Sequence, residues 1–88
     1  MAWQGHIRAL LYPVIFSPDP CAEIDRVVRT LRPEHAPDHL RAIEAALKSG
    51  EELHSLLPQP HPEAAVRKYL AELAAAISAK FSGPAGAI

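Results

Sequence analysis

Apolar side chains recur at intervals of three and four residues along most of this 88-residue chain. This spacing places them on one face of an α-helix, so each such stretch predicts an amphipathic helix. The prolines of Pro58-Gln59-Pro60-His61-Pro62 cannot continue a helix, because proline lacks an amide donor, but Pro62 suits the first position of a new one. The longest stretch follows at residues 62–81, and its apolar positions are Val66, Tyr69, Leu70, Leu73, Ile77 and Phe81.

Three upstream segments, at residues 3–16, 20–32 and 37–49, have the same apolar spacing and also predict helices. In the first segment Pro13 predicts a kink; the alternative is a helix that stops near Leu11, followed by extended chain at residues 14–16. A short helix is expected at residues 51–57, with Glu51 and Glu52 at its positive end. Gly50, just before it, suits the left-handed conformation that often ends a helix.

Each predicted helix is apolar along one face only and has to bury that face against another helix. The chain is therefore expected to be all-α, a small bundle of four to five helices in a single domain spanning residues 1–88. In the third helix the inward residues are expected to be Leu40, Ile43 and Leu47, flanked by alanines. Residues 82–88 have little to bury and are expected to form a flexible tail.

The overall charge and the cysteine content narrow the classes of function. A net charge of −1 and a pI near 6.5 disfavour a dedicated nucleic-acid binder, which is usually strongly basic. Cys21 is the single cysteine of the sequence, which fits a reducing, cytoplasmic setting. The apolar run at residues 9–16 is too short for a membrane span and Pro13 interrupts it. We therefore expect no membrane partner and no export signal.

No combination of residues predicts a catalytic or metal site. His35 and His39 are four residues apart, but Pro37 lies between them and no third ligand has a confirming spacing. Cys21 fits the inward face of the second helix, where a thiol serves as a small apolar side chain. The four glycines are isolated, so the sequence has no glycine-rich phosphate loop. We expect a protein that is not an enzyme and has no catalytic residues, metal ligands or cofactors.

Acidic residues are concentrated in the middle third of the chain. Residues 34–57 contain five acidic and two basic residues, a charge of −3, whereas the segments on either side each have a charge of +1. One interpretation is helix-end electrostatics, because Asp38, Glu51 and Glu52 would each lie in the first turn of a helix. The other is one acidic surface onto which a basic partner docks. On that hypothesis the partner-binding residues are Glu34, Asp38, Glu44, Glu51 and Glu52.

The second half of the chain also carries a resemblance to a known family. Residues 43–50 (IEAALKSG), 56–58 (LLP) and 61–73 (HPEAAVRKYLAEL) together resemble small immunity proteins of bacterial contact-dependent growth inhibition systems. The resemblance implies a cytoplasmic protein without activity of its own, which binds and neutralises the toxin domain of a large exported effector, often a nuclease. We therefore expect a protein-binding inhibitor that occludes the active site of a cognate toxin domain, with no contact residue assigned by the resemblance.

Two other functions stay open at the level of the sequence. A homo-oligomeric helical module would use an exposed apolar patch formed by Trp3, Tyr12 or Phe16. A small helix-turn-helix regulator would contact DNA phosphates through three arginines spaced by three residues, Arg26, Arg29 and Arg32. The third predicted helix lies in the acidic segment, however, whereas a DNA-recognition helix is usually basic.

Overall fold

The computed structural model describes residues 3–81 of the chain, and four α-helices make up most of this range. They are α1 (Trp3–Leu11), α2 (Ile24–Thr30), α3 (Ala36–Ser49) and α4 (Glu63–Phe81). Single 3₁₀ turns lie between them at Tyr12–Val14, Pro20–Glu23, Pro33–His35 and His54–Leu56. Within residues 3–81 there is no β-strand, so the prediction of a small all-α bundle is confirmed. The tail predicted at residues 82–88 lies outside the described residues.

The core is built around α4. Its buried side chains are Val66, Tyr69, Leu70, Leu73 and Ile77, all of them among the apolar positions predicted from the sequence. α4 packs against α2 and α3, and α1 packs against α3. The Tyr69 hydroxyl donates a hydrogen bond of 2.8 Å to the Leu10 carbonyl oxygen, so the polar end of this buried ring has a partner. Burial raises the pKa of the Tyr69 phenol.

In α3, alanines rather than leucines face the centre of the core. Ala42, Ile43 and Ala46 are buried, whereas Leu40 and Leu47 are partly buried at the edge of the contact with α4. Alanine side chains allow two helices to approach closely, because nothing large separates their backbones. The predicted period of α3 is therefore confirmed, but its inward face is rotated from the leucines toward the alanines.

Pro13 ends α1 instead of kinking it. A proline within a helix removes one amide donor and crowds the carbonyl group four residues earlier, which here belongs to Ala9. α1 accordingly ends at Leu11, and Pro13 lies in the 3₁₀ turn Tyr12–Val14. The expectation of a kinked helix through residue 16 is wrong. The alternative is correct about the end of the helix, but residues 14–16 form a turn rather than extended chain.

The helix expected at residues 51–57 is reduced to one 3₁₀ turn, His54–Leu56, so this prediction is wrong. Gly50 ends α3 with a φ of 73°, a conformation that glycine adopts without strain, as expected. Beyond Gly50 the amides of Leu53 and His54 bond to the Glu63 carboxylate, and only the single turn His54–Leu56 follows. Glu51 and Glu52 therefore do not lie in the first turn of a helix, and helix-end electrostatics does not explain them.

The segment predicted as one helix at residues 20–32 has two parts. The 3₁₀ turn Pro20–Glu23 leads directly into α2, which has only 7 residues and ends at Thr30. At the other extreme, α4 has 19 residues and begins one residue after the proline predicted to start it. Among residues 3–81, none of these helices combines the length and the apolar character that crossing a membrane requires.

Candidate interaction surfaces

Two large aromatic side chains are exposed just after α1. Phe16 is 89% exposed and Tyr12 is 65% exposed, whereas the other large hydrophobic side chains of the described range are buried or partly buried. Val14 and Ile15, which lie between the two aromatics, are buried, so the turn places these two side chains in the core and the two aromatic rings in solvent. Trp3, the third residue expected in an apolar patch, is partly buried against the core. We refer to Tyr12, Phe16 and the groove beside Phe16 as the aromatic surface.

The groove beside Phe16 has a volume of about 460 Å³. Its walls include Pro18, Pro58 and Pro60, together with the buried ring of His61. The Nε2 atom of His61 lies 3.4 Å from the Val14 carbonyl oxygen and so connects the proline segment to the turn after α1. Because the ring of a proline fixes its φ angle, such walls lose little conformational freedom when a partner binds.

A second groove, of about 580 Å³, lies between α3 and α4. Leu40 and Leu47 line it on the α3 side, and alanines of α4 line the opposite side. Its rim carries an exposed ion pair in which the Lys48 Nζ atom lies 3.4 Å from the Glu44 carboxylate. This groove is the open edge of the alanine-rich contact described above, where small side chains leave space at the surface.

The five acidic residues predicted to bind a partner are distributed over the whole length of α3. Glu34 lies in the 3₁₀ turn before α3, and Glu51 and Glu52 follow its end. α3 has 14 residues and is therefore about 21 Å long. Asp38 and Glu44 are six residues apart, which separates them by about 120° around the helix axis. Glu51 and Glu52 are neighbours in sequence, and the structure places the other three at separate points along and around α3.

Three of these carboxylates have a basic neighbour. Asp38 accepts a hydrogen bond from the Arg41 guanidinium, and Glu44 pairs with Lys48. The Glu52 carboxylate lies 3.4 Å from the His54 ring, which makes an ion pair when that ring is protonated. For Glu34 and Glu51 no ion pair forms within the described range. The binding role of these five residues stays a prediction. Of the neighbours Glu51 and Glu52, only Glu52 has a basic side chain close to its carboxylate within the described range.

A polar network centred on Glu63 and Arg67 holds the segment between α3 and α4. One Glu63 carboxylate oxygen accepts the backbone N–H groups of Leu53 and His54 at 2.7 and 2.9 Å, and the other accepts the Arg67 Nε–H at 2.7 Å. Arg67 also donates to the carbonyl oxygen of Leu47 at 3.2 Å and to that of Glu51 at 2.8 Å. One side chain pair therefore fixes the end of α3 and the residues that follow it to α4.

The charge of Glu63 is favoured by this network. Partial burial alone would raise the pKa of its carboxyl group, but the N–H groups of His54 and Leu53 and the Arg67 guanidinium outweigh that effect. The pKa of Glu63 therefore lies below its ordinary value. Glu63 is thus an ionised structural residue rather than a proton donor at neutral pH.

Cys21 is packed against the core and is partly buried. Burial raises the pKa of its thiol, and the nearby Glu72 carboxylate, which accepts a hydrogen bond from the thiol, adds to the effect against the weaker opposing charge of Lys68. A raised pKa keeps the sulfur protonated at neutral pH, whereas a nucleophilic cysteine needs a lowered one. This environment agrees with the expected role as a small apolar side chain.

Three of the five histidines lie close together where α1 meets the start of α3. The Nε2 atom of His6 and the Nδ1 atom of His39 are 2.6 Å apart, and the His35 ring centre is 6.4 Å from that of His39. His35 belongs to the turn before α3 and His39 to α3 itself. Within residues 3–81, no group of three or more histidine, cysteine or acidic side chains has an arrangement suited to holding a metal ion.

The arginine row expected for DNA binding is partly engaged within the protein. Arg26 pairs with Glu23 at 2.7 Å and donates to the Pro13 carbonyl oxygen at 3.2 Å. Arg29 lines a shallow cavity of about 430 Å³ together with Asp25 and Lys80, so an acidic side chain lies among these basic ones.

Long-range contacts are what the sequence reasoning missed. The spacing of Glu63 and Arg67 is visible as a helical ion pair, but the bonds from Glu63 to residues 53 and 54 depend on how the chain folds back. The contact between His6 and His39 joins residues 33 positions apart and has no local signal.

Comparisons of the chain with protein-family models, with curated proteins and with solved structures found no match.

Proposed function

We propose that this chain is a protein-binding inhibitor, and that its aromatic surface docks onto a folded domain of another protein. The exposure of Phe16 and Tyr12 is the observation that carries this proposal. Aromatic side chains held in water are costly unless a partner covers them, and they supply much of the affinity in protein interfaces. The proline walls of the adjacent groove support the proposal further, because a rigid surface loses little entropy on binding.

The partner we propose is a cognate bacterial toxin domain, as the resemblance to immunity proteins implies. On this proposal the protein acts in the cytoplasm, has no catalytic activity and covers the active site of the toxin. The affinity would come from Tyr12 and Phe16, and acidic residues of the segment at 34–57 would speed the encounter with a basic partner. Binding through these aromatic and acidic side chains needs no cofactor, metal ion or nucleic acid.

The direct experiment begins with the gene immediately upstream, which is expected to encode a large exported protein. The C-terminal domain of that protein should be purified and titrated with the chain by calorimetry, and its toxicity should be measured in cells with and without the chain. The proposal predicts a one-to-one complex and restored growth. No binding of the encoded domain at micromolar concentrations, or the lack of such a gene, would overturn the toxin-inhibitor function.

The proposed role of the acidic residues has its own test. Glu51→Lys reverses a carboxylate that has no ion-pair partner in the described range, and Asp25→Lys makes the same charge change at an exposed position of α2. We expect Glu51→Lys to slow association with the toxin domain several-fold at low salt and Asp25→Lys to change it less. Stopped-flow mixing at low and high salt measures this difference. Equal rates for the two variants would remove Glu51 from the contact surface.

A second candidate, self-association, is favoured by the same exposed aromatics. With a net charge of only −1, two copies of the chain repel each other weakly, so a second copy can cover Phe16 and Tyr12. Light scattering over a range of micromolar concentrations distinguishes the two functions. A dimer mass that falls to the monomer mass in Phe16→Ser would support self-association, and a monomer at all concentrations would exclude it.

A further inference from the structure

A contact between two histidines joins α1 to α3. The Nε2 atom of His6 and the Nδ1 atom of His39 face each other at 2.6 Å, and the two rings meet edge-on with their centres 4.8 Å apart. Both side chains are partly buried. In an N–H···N hydrogen bond one ring donates and the other accepts, so at least one of the two rings has to be neutral.

The number of protons on the pair decides whether this contact exists. With no added proton, or with one, a ring nitrogen remains that can accept the bond. When both rings are protonated, no acceptor remains, and two positive charges face each other at hydrogen-bond distance. The pair therefore holds at most one added proton while the contact is intact, whereas the same two histidines in the unfolded chain each bind a proton near pH 6.5.

The surroundings of His39 oppose its protonation. Burial penalises its charged form most, and the positive charges of His6 and of His35, from the turn before α3, add to this effect. Asp38 acts in the opposite direction, but its carboxylate is shared with Arg41. The pKa of His39 is therefore lowered from its ordinary value.

Most charged groups of the other elements packed around α1 and α3 are engaged elsewhere. Glu34, in the 3₁₀ turn before α3, forms no ion pair within the described range, but it is not among the charges that shift the pKa of His39. On α4, Glu63 and Arg67 bind the segment after α3, Lys68 faces Glu72 at 4.0 Å, and Lys80 lies over the Phe81 ring. Arg8 of α1 donates to the carbonyl oxygen of Leu56 in the last 3₁₀ turn, where His54 faces Glu52. Asp38 is accordingly the carboxylate whose charge bears on His39, and it does not prevent the lowered pKa.

We propose that the His6–His39 contact is a pH-sensitive connection, which holds α1 on α3 near neutral pH and is released when both rings are protonated. This inference stands whether or not the aromatic surface binds a toxin. One consequence does rest on the proposed function: because the chain runs from α1 directly into Tyr12–Val14, a shift of α1 after loss of this contact would also shift the aromatic surface. Acid would then weaken binding of the partner.

The experiment compares urea unfolding of the wild-type chain, His39→Gln and His54→Gln from pH 7.5 to pH 5, with a chelator present to exclude metal binding. While the contact is intact, the two histidines bind one proton fewer than they do in the unfolded chain. This difference should lower the folding equilibrium constant of the wild type by up to about tenfold for each pH unit below pH 6.5. His39→Gln should lose that part of the pH dependence. His54→Gln, which removes a histidine outside the contact, should keep it.

A second measurement does not depend on the stability of any variant. NMR titration of the wild-type histidine rings should show His39 taking up its proton below the ordinary range of a histidine, and backbone resonances of α1 should shift in the same step. In His6→Gln the titration midpoint of His39 should move back toward its ordinary range. Equal pH dependence of wild type and His39→Gln, or a His39 midpoint that does not respond to His6→Gln, would overturn the proposal.

Discussion

Glu63 determines the conformation of a segment ten residues away from it in sequence. Its position in the first turn of α4 and its spacing to Arg67 can be read from the sequence, and both favour α4. Its bonds to the amides of Leu53 and His54 cannot be read from the sequence, because they exist only once the chain has folded back. This contact fixes residues 53 and 54 at the start of the one 3₁₀ turn that forms where the longer helix was expected.

Glu63→Gln should destabilise the protein by about 1–2 kcal/mol, because it weakens a charge-assisted bond to Arg67 and the bonds to two backbone amides. Urea unfolding at pH 7 measures the change in the free energy of unfolding. The matched control is Glu44→Gln, which removes the charge of an exposed ion pair and should cost less than about 0.5 kcal/mol. Equal effects of the two substitutions would contradict the structural role of Glu63.

The lowered pKa of Glu63 also predicts a pH dependence. Because the folded protein binds this proton less readily than the unfolded chain does, the stabilising effect of Glu63 is present above the ordinary value of 4.5 and is lost as the pH falls through the lowered pKa. The wild-type free energy of unfolding should therefore fall more steeply between pH 5 and pH 3 than that of Glu63→Gln. Parallel curves for the two proteins would show that the charge of Glu63 is not favoured by folding.

At the scale of elements, the sequence predicts helices best where an apolar face and a clear start occur together. α4 satisfies both conditions, with Pro62 before it and its apolar face intact, and its predicted and observed bounds differ by one residue. The prediction fails where a local signal has two possible outcomes. Pro13 is compatible with a kink in α1 or with the end of α1. In the structure α1 ends before Pro13, which avoids the clash of the proline ring with the Ala9 carbonyl group.

Two glycines provide a test of the helix boundaries. Gly50 has a φ of 73° at the end of α3, so Gly50→Ala should destabilise the protein by about 1 kcal/mol even though its side chain would meet open space. Gly5 lies exposed within α1, also with open space around it, and Gly5→Ala should stabilise by up to about 1 kcal/mol. Thermal unfolding should show melting temperatures that shift in opposite directions. Shifts in the same direction would show that Gly5 does not lie within α1 or that Gly50 does not end α3 in the left-handed conformation.

The whole molecule combines a closed core with an aromatic surface that the core does not use. The periodicity of the sequence was sufficient to predict the all-α bundle and most of its core, because helical faces are encoded locally. It was not sufficient to predict the aromatic surface as the main candidate site, because exposure depends on the turn at Pro13. The charge pattern pointed instead to five acidic residues, which the structure distributes along α3.

Phe16 is expected to serve binding and not folding, and two measurements on Phe16→Ser distinguish these roles. The free energy of unfolding of Phe16→Ser should lie within about 0.5 kcal/mol of the wild-type value, because an exposed side chain adds little to the core. The affinity of Phe16→Ser for the domain encoded upstream should fall at least about tenfold, or about 1.4 kcal/mol. Lys80→Ser, at the opposite end of α4 from the groove, serves as the control and should bind normally. An unchanged affinity of Phe16→Ser, or a loss of stability above about 2 kcal/mol, would show that Phe16 does not have this role.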